Sequence, residues 1–315
     1  MEIVITDGYT LNPGDLSWEA FEKIGQVKYY DRTFPNEVTG RCRRATVIIT
    51  NKTPITSGTI HAADDLKIIA VSATGYNIVD IKAAKDKGVP VCNVPEYGTR
   101  SVAQHTFALL LELTNKAGIH AQSVKDGDWF RSADWSYVKA PIIELSGKTI
   151  GIVGFGRIGQ NVAEIAKAFG MNVIVYNKGK DIPSATGVTL QELFSQSDVV
   201  SLHCPVNDEN AGFVNRQLLS LMKPTAFLIN TSRGLLINEA DLADALQKKI
   251  IAAAALDVLS QEPPAKTNPL VGLHNCLITP HNAWSSYEAR KRLMQTTLDN
   301  IVAALSGKPV NVVNG

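Results

Sequence analysis

At 315 residues the chain has the length of about two domains, and 45% hydrophobic with 19% charged residues is an ordinary globular composition with enough apolar material for a sizeable core. A formal net charge of +1 without a run of like charges argues against a nucleic-acid footprint and a polybasic membrane patch, leaving small neutral-to-anionic molecules as the expected partners. Cys42, Cys92, Cys204 and Cys276 share no Cys-x-x-Cys or Cys/His ligand spacing, so buried reduced thiols are expected and no metal is implied. Met1-Glu2-Ile3-Val4-Ile5 begins directly as a strand, and no segment approaches membrane-spanning length, so the expected compartment is the cytoplasm.

Residues 1 to about 100 alternate short apolar runs with helical stretches: Ile3-Val4-Ile5, Val27 to Tyr30, Thr46 to Ile49, Ile68 to Val71 and Val89 to Cys92. That alternation predicts a parallel sheet with crossover helices, one of them over Ser17 to Ile24 with Ser17 as N-cap. Thr74 and Gly75 follow the fourth run, at the strand end where open α/β sheets bind ligands, and their backbone N–H groups suit a carboxylate. An ordinary βα turn explains the same residues. Ser101 is placed as the cap of a long helix carrying Ala103, Phe107, Leu110 and Leu111, and residues 126–147 read as irregular.

Thr149 to Gln160 is the most informative stretch: an apolar run, Gly154-Phe155-Gly156-Arg157-Ile158-Gly159, then an amphipathic helix and a second strand, Asn172 to Tyr176. Gly154 permits a tight reversal, Gly156 removes the Cβ that would hold a pyrophosphate off the backbone, and Gly159 lets helix and strand approach. The helix N-terminus offers free N–H groups to phosphates. Six strands are expected from here, at 149–153, 172–176, 199–202, 226–229, 252–257 and 277–279, giving a doubly wound Rossmann sheet. Ser285-Ser286-Tyr287-Glu288 reads as a capping box opening a last helix whose stripe Met294, Leu298, Ile301, Val302 and Leu305 packs back on the first domain, with Gly307 and Pro309 ending it.

Reduction of a carbonyl by hydride needs a cation for the substrate and an acid for the developing alkoxide. Arg233, Glu262 and His281 each follow a strand, so all three emerge on the sheet edge that bears the glycine turn. Singly, each is better explained as a solvated turn, a proline-bound loop or a hydrogen-bonded histidine; together they make a site.

These motifs, with Ser197 to Pro205, Met222 to Ala226, Asn230 to Gly234 and Ala255 to Val258, resemble the D-2-hydroxyacid dehydrogenases over essentially the whole chain. Within that family Tyr97 to Gln104 and His281-Asn282-Ala283-Trp284 are similar to glycerate dehydrogenases, also called hydroxypyruvate reductases. The resemblance implies an α/β protein: a Rossmann domain over 101–284 and a flavodoxin-like, discontinuous substrate domain over 1–100 and 285–315. It implies Arg233 as binder of the 2-oxo acid, His281 as acid/base and Glu262 as its partner, with Thr74 and Gly75 completing the substrate contacts. It implies cofactor contacts at Gly154, Phe155, Gly156, Arg157, Ile158, Cys204, Pro205, Thr231, Ser232, Arg233, Asp257 and His281. A homodimer is expected.

Two positions depart from the family pattern. Where NAD-preferring members end the second Rossmann strand with an acid, Tyr176 is followed by Asn177-Lys178. Asn177 still suits a ribose hydroxyl, while Lys178 and Lys180 suit a phosphate, so NAD is expected with NADP open. After Cys204-Pro205, where a threonine is frequent, the chain reads Asn207-Asp208-Glu209-Asn210-Ala211, so a phosphate-side hydroxyl contact is either lost or replaced by Asn210. A dehydrogenase for another 2-hydroxyacid such as D-lactate, or a nicotinamide-sensing corepressor-like binding protein, are the alternatives.

Overall fold

A computed structural model describes residues 1–178 and 185–315. The backbone divides into two compact units, Met1–Gly98 with Ser285–Gly315, and Thr99–Trp284.

In the first unit, β1 (Glu2–Ile5), β2 (Gln26–Tyr29), β3 (Val47–Thr50), β4 (Ile68–Val71) and β5 (Val91–Cys92) form one parallel sheet in the order β2-β1-β3-β4-β5. The strand order reverses beside β1, which is the flavodoxin arrangement. β3 and β4 are buried at every residue, so they read as unbroken apolar runs rather than alternations. The helix Tyr287–Leu305 packs on β4, and Ser72 Oγ lies 3.2 Å from Thr297 Oγ1. Beyond it the C-terminal tail covers the β5 edge: Val313 N donates to Val91 O, and the Asn314 side chain accepts from Val91 N and donates to Val89 O.

Local details differ from the sequence reading. The helix expected over Ser17 to Ile24 is Glu19–Glu22 with Trp18, not Ser17, at its N-cap; Ser17 Oγ accepts from Glu19 N two residues on. The last helix is capped by Ser286, which accepts from Ala289 N, so Glu288 falls one place short of a capping box. Its buried face runs through Arg290, Leu293, Met294, Thr297, Asn300 and Ile301, while Val302 is exposed. Arg290 is buried there by its pairing with Asp15 at 2.6 Å, so a polar residue takes a place that an apolar count gives to Val302. Gly307, at φ +79°, ends the helix: its N–H reaches Ala304 O and that of Lys308 reaches Ala303 O.

Among its described residues the second unit has seven parallel strands: β6 (Thr149–Val153), β7 (Asn172–Tyr176), β8 (Thr186–Gly187), β9 (Val199–Leu202), β10 (Phe227–Asn230), β11 (Ala253–Leu256) and β12 (Cys276–Ile278). Their order is β12-β11-β10-β9-β6-β7-β8, which reverses beside β6 as a Rossmann sheet does. The expected six strands omit β8, whose two exposed residues Thr186 and Gly187 carry no apolar signal. Alternate residues face two cores. Ile150, Ile152, Val199, Phe227, Ile229 and Ala255 pack with Phe107, Leu110, Val162 and Ala166 from the helices Thr99–Asn115 and Arg157–Ala168. Val153, Val200, Leu228 and Leu256 pack with Leu193, Phe194, Leu242 and Leu246 on the other face. Ser101 lies inside the first turn of the Thr99–Asn115 helix rather than capping it, and its hydroxyl donates to Ala283 O at 2.6 Å.

Candidate active site

Every strand of the second sheet is parallel, so the loops after β6, β7, β9, β10, β11 and β12 share one edge. After β6, Gly154 takes φ +93°, and a Cβ there would stand 2.7 Å from Cys204 N. A Cβ on Gly159 would stand 2.3 Å from Gly154 O, which ties the helix close to the strand. On Gly156, the N-cap of the Arg157–Ala168 helix, a Cβ would project into open space. That open space beside the helix N-terminus fits a dinucleotide pyrophosphate. Phe155 N donates to Asn177 Oδ1 at 3.3 Å, turning the Asn177 amide toward the glycine turn and leaving its NH2 as a donor. Arg157 and Ile158 open the helix that follows.

After β9, Cys204 O accepts from Ser232 Oγ at 2.6 Å, joining this loop to the one after β10. The Asn210 amide lies back along its own loop, accepting from Asn207 N at 2.7 Å and donating to Pro205 O at 2.8 Å. It therefore braces its own loop. His203 bonds Ser201 Oγ at 2.8 Å through Nε2, while its buried Nδ1 has no partner among the described residues. Burial pushes the His203 pKa down to about 3.

After β10, Asn230 fixes the turn that carries Arg233: its Nδ2 donates to Arg233 O and its Oδ1 accepts from Ser232 N. The exposed Arg233 guanidinium donates Nη1 to Ser232 O at 2.7 Å, and Thr231 Oγ1 lies 3.0 Å from Thr106 Oγ1. Gly234 is flush with the next loop, since a Cβ there would stand 1.9 Å from the Leu259 carbonyl carbon. That next loop carries Glu262, whose Oε1 accepts from Leu259 N at 3.0 Å and whose Oε2 meets His281 Nδ1 at 2.6 Å. The carboxylate can only accept, so Nδ1 carries the hydrogen and Nε2 is the working nitrogen.

His281 has φ +51°, a left-handed conformation uncommon for a side-chain-bearing residue. Asp257 imposes it. Its carbonyl accepts from His281 N at 2.8 Å, Oδ1 accepts from Asn282 N at 3.0 Å and from Thr279 Oγ1 at 2.6 Å, and Oδ2 accepts from Ala283 N at 2.9 Å. Asp257 is expected from the sequence beside the nicotinamide; the carboxylate is buried and engaged with the loop that carries His281. Behind it His105 Nε2 lies 3.0 Å from Thr279 Oγ1, a support the sequence reading missed because His105 stands in mid-helix with no motif around it.

In the first unit the turn after β4 is pinned by its own neighbours: Thr74 Oγ1 donates to Val94 O and Asn93 Nδ2 to Thr74 O. The backbone N–H groups of Thr74 and Gly75 carry no hydrogen bond among the described residues. Lys178 does not stand as an open cation, since its Nζ reaches Glu209 Oε2 at 2.6 Å. Lys180 lies outside the described residues. No group of three or more metal-ligating side chains occurs among the described residues, and no helix there is long and apolar enough to cross a membrane.

A family profile described as "D-isomer specific 2-hydroxyacid dehydrogenase, NAD binding domain" matches residues 107–283. The chain is 47% identical to the hydroxypyruvate reductase of Blautia hydrogenotrophica, covering 100% of both sequences. It is 38% identical to the glycerate dehydrogenase of Methylorubrum extorquens over 95% of each. Among solved structures, an acyclic imino acid reductase in complex with NADPH and D-Arg has a TM-score of 0.85 and 36% identity, over 99% of this chain and 100% of that one.

Proposed function

Because the chain belongs to the D-isomer specific 2-hydroxyacid dehydrogenases, oxidoreductases with an NAD-binding domain, we propose that it reduces a small 2-oxo acid, hydroxypyruvate first and glyoxylate next, to the D-2-hydroxyacid. The His281–Glu262 pair beside the Arg233 turn, on the sheet edge that bears the glycine turn, is the observation that carries the reading.

A nicotinamide cofactor held at this edge would supply hydride chemistry toward the carbonyl carbon. Arg233 offers a planar fork of donors matched to the substrate carboxylate, and the unengaged N–H groups of Thr74 and Gly75 suit the same kind of ligand. His281 Nε2 donates its proton to the carbonyl oxygen as that oxygen gains charge, and takes it back in the oxidation direction. Glu262 holds Nδ1 so that Nε2 stays aimed, and Asp257 is a positioning residue that holds the His281 loop from behind. Gly154, Phe155, Gly156, Arg157 and Ile158 would hold the pyrophosphate, Asn177 a ribose hydroxyl, and Cys204, Pro205, Thr231 and Ser232 the remaining edge.

The reading carries a homodimer and a cytoplasmic location. The exposed aromatic cluster of Trp129, Phe130 and Trp135 supports the first, and four free cysteines support the second. The test is loss of the reduced-nicotinamide absorbance with hydroxypyruvate, glyoxylate and pyruvate in turn. Hydroxypyruvate is expected to give the highest kcat/KM, and a pyruvate preference would move the protein to the lactate branch. Consumption of none of the three would remove the dehydrogenase reading in favour of a binding protein.

A further inference from the structure

The strand end that meets the adenosine ribose in a Rossmann site is that of β7. It bears Asn177 and Lys178, with no acid. An acid nevertheless stands there, delivered from another loop: Glu209, after β9, accepts from Lys178 Nζ at 2.6 Å. β7 and β9 are the two neighbours of β6, so the ion pair spans the strand end that carries the glycine turn. Glu209 is presented by a braced loop, because Asn207 Oδ1 accepts from Glu209 N and Asn210 N, both at 3.1 Å.

We propose that the Lys178–Glu209 pair selects between NAD(H) and NADP(H), with Glu209 acting from the β9 loop in place of the acid missing from β7. The proposal rests on the dinucleotide site described above. Two uncharged ribose hydroxyls leave the pair intact. A 2′-phosphate, with about two negative charges, either takes Lys178 from Glu209 or lies beside both. In each case Glu209 opposes it, by competing for the ammonium or by like-charge repulsion. The side chains are 75% and 72% exposed, so the contact is weak enough to exchange and is screened by salt. The selection is therefore a bias, strongest at low ionic strength.

The test measures dissociation constants for NAD+ and NADP+ by calorimetry at low and high salt, for wild type, Glu209→Gln, Lys178→Met and the double variant. Glu209→Gln is expected to tighten NADP+ about tenfold at low salt, as one charge-assisted contact to phosphate is freed, with NAD+ moving far less. Lys178→Met weakens NADP+ selectively, and in its background Glu209→Gln gains less, because no ammonium remains to be freed. Adenosine 2′,5′-bisphosphate and 5′-AMP as competitors should reproduce the ratio without the nicotinamide half. An unchanged NADP+/NAD+ ratio in a folded Glu209→Gln overturns the proposal while leaving the dehydrogenase reading in place. Failure of wild type to bind either dinucleotide overturns both.

Discussion

The role proposed for Arg233 depends on shape as well as charge. A guanidinium meets a carboxylate through two parallel N–H donors, which an ammonium cannot reproduce. Arg233→Lys is expected to lower kcat/KM about ten- to a hundredfold with the NAD(H) dissociation constant unchanged, as measured by steady-state kinetics beside calorimetry. His203 makes a second case at this scale, through stability. Its pKa is pushed down to about 3 in the folded protein, whereas an unfolded histidine titrates near 6.5. The unfolded chain therefore binds the extra proton first as pH falls, so this contribution to stability is full above about 6.5 and is lost progressively toward 3. Urea midpoints for His203→Gln should vary less with pH than those of wild type across that window. That Arg233, Glu262 and His281 lie beyond the ends of β10, β11 and β12 was legible in the sequence, because each follows a strand with its own motif. The clamp formed by Asp257 on the His281 loop was not, because four hydrogen bonds between distant segments leave no spacing to read.

At the scale of elements, the glycine turn was legible in part: Gly154 and Gly159 stand where a reversal and close packing require a glycine, while a Cβ on Gly156 would meet open space. Gly234 carries as strong a constraint, and nothing local announces it. Its neighbour is the Leu259–Ser260 backbone, 25 residues away in sequence, so the need for a missing side chain arises only when the two loops meet. Gly234→Ala must separate the Arg233 turn from the loop holding Glu262. A loss of about 1–3 kcal/mol in unfolding free energy is expected, together with a fall in kcat, read by denaturant titration and turnover. Helix ends were placed less well, since neighbouring serines compete to be the cap. Ser286 rather than Ser285 caps the last helix, and Thr189 with Glu192 forms a capping box not anticipated from the sequence. The strand β8 was missed because two exposed residues paired to β7 follow the sheet edge rather than any hydrophobic period.

For the molecule as a whole, Phe130 at 90% and Trp135 at 88% are the most exposed large apolar side chains among the described residues of the second unit. Trp129 Nε1 donates to Trp135 O, which holds Trp129 and Trp135 together, and a second copy of the chain is the partner proposed for these exposed aromatics. The proposed homodimer is tested by Phe130→Ser with Trp135→Ser: wild type is expected to sediment as a dimer and the double variant as a monomer, with no loss of melting temperature in the isolated chain. The division into units was legible because β1 to β5 and β6 to β12 repeat the same alternation. The pairing of Ser72 with Thr297 and of Val91 with Val313 also means that the first unit is assembled from both ends of the chain. During synthesis, Met1–Gly98 leaves the ribosome early yet lacks its final helix and edge cover until Ser285–Gly315 follows. At about 5–20 residues per second that wait lasts roughly 10 to 40 s, and by its end the strands β6 to β12 of Thr99–Trp284 have all been made. Nascent chains arrested after residue 284 and treated with protease should therefore keep a resistant core from Thr99–Trp284 while Met1–Gly98 is digested, so that an earlier-made segment matures after a later one.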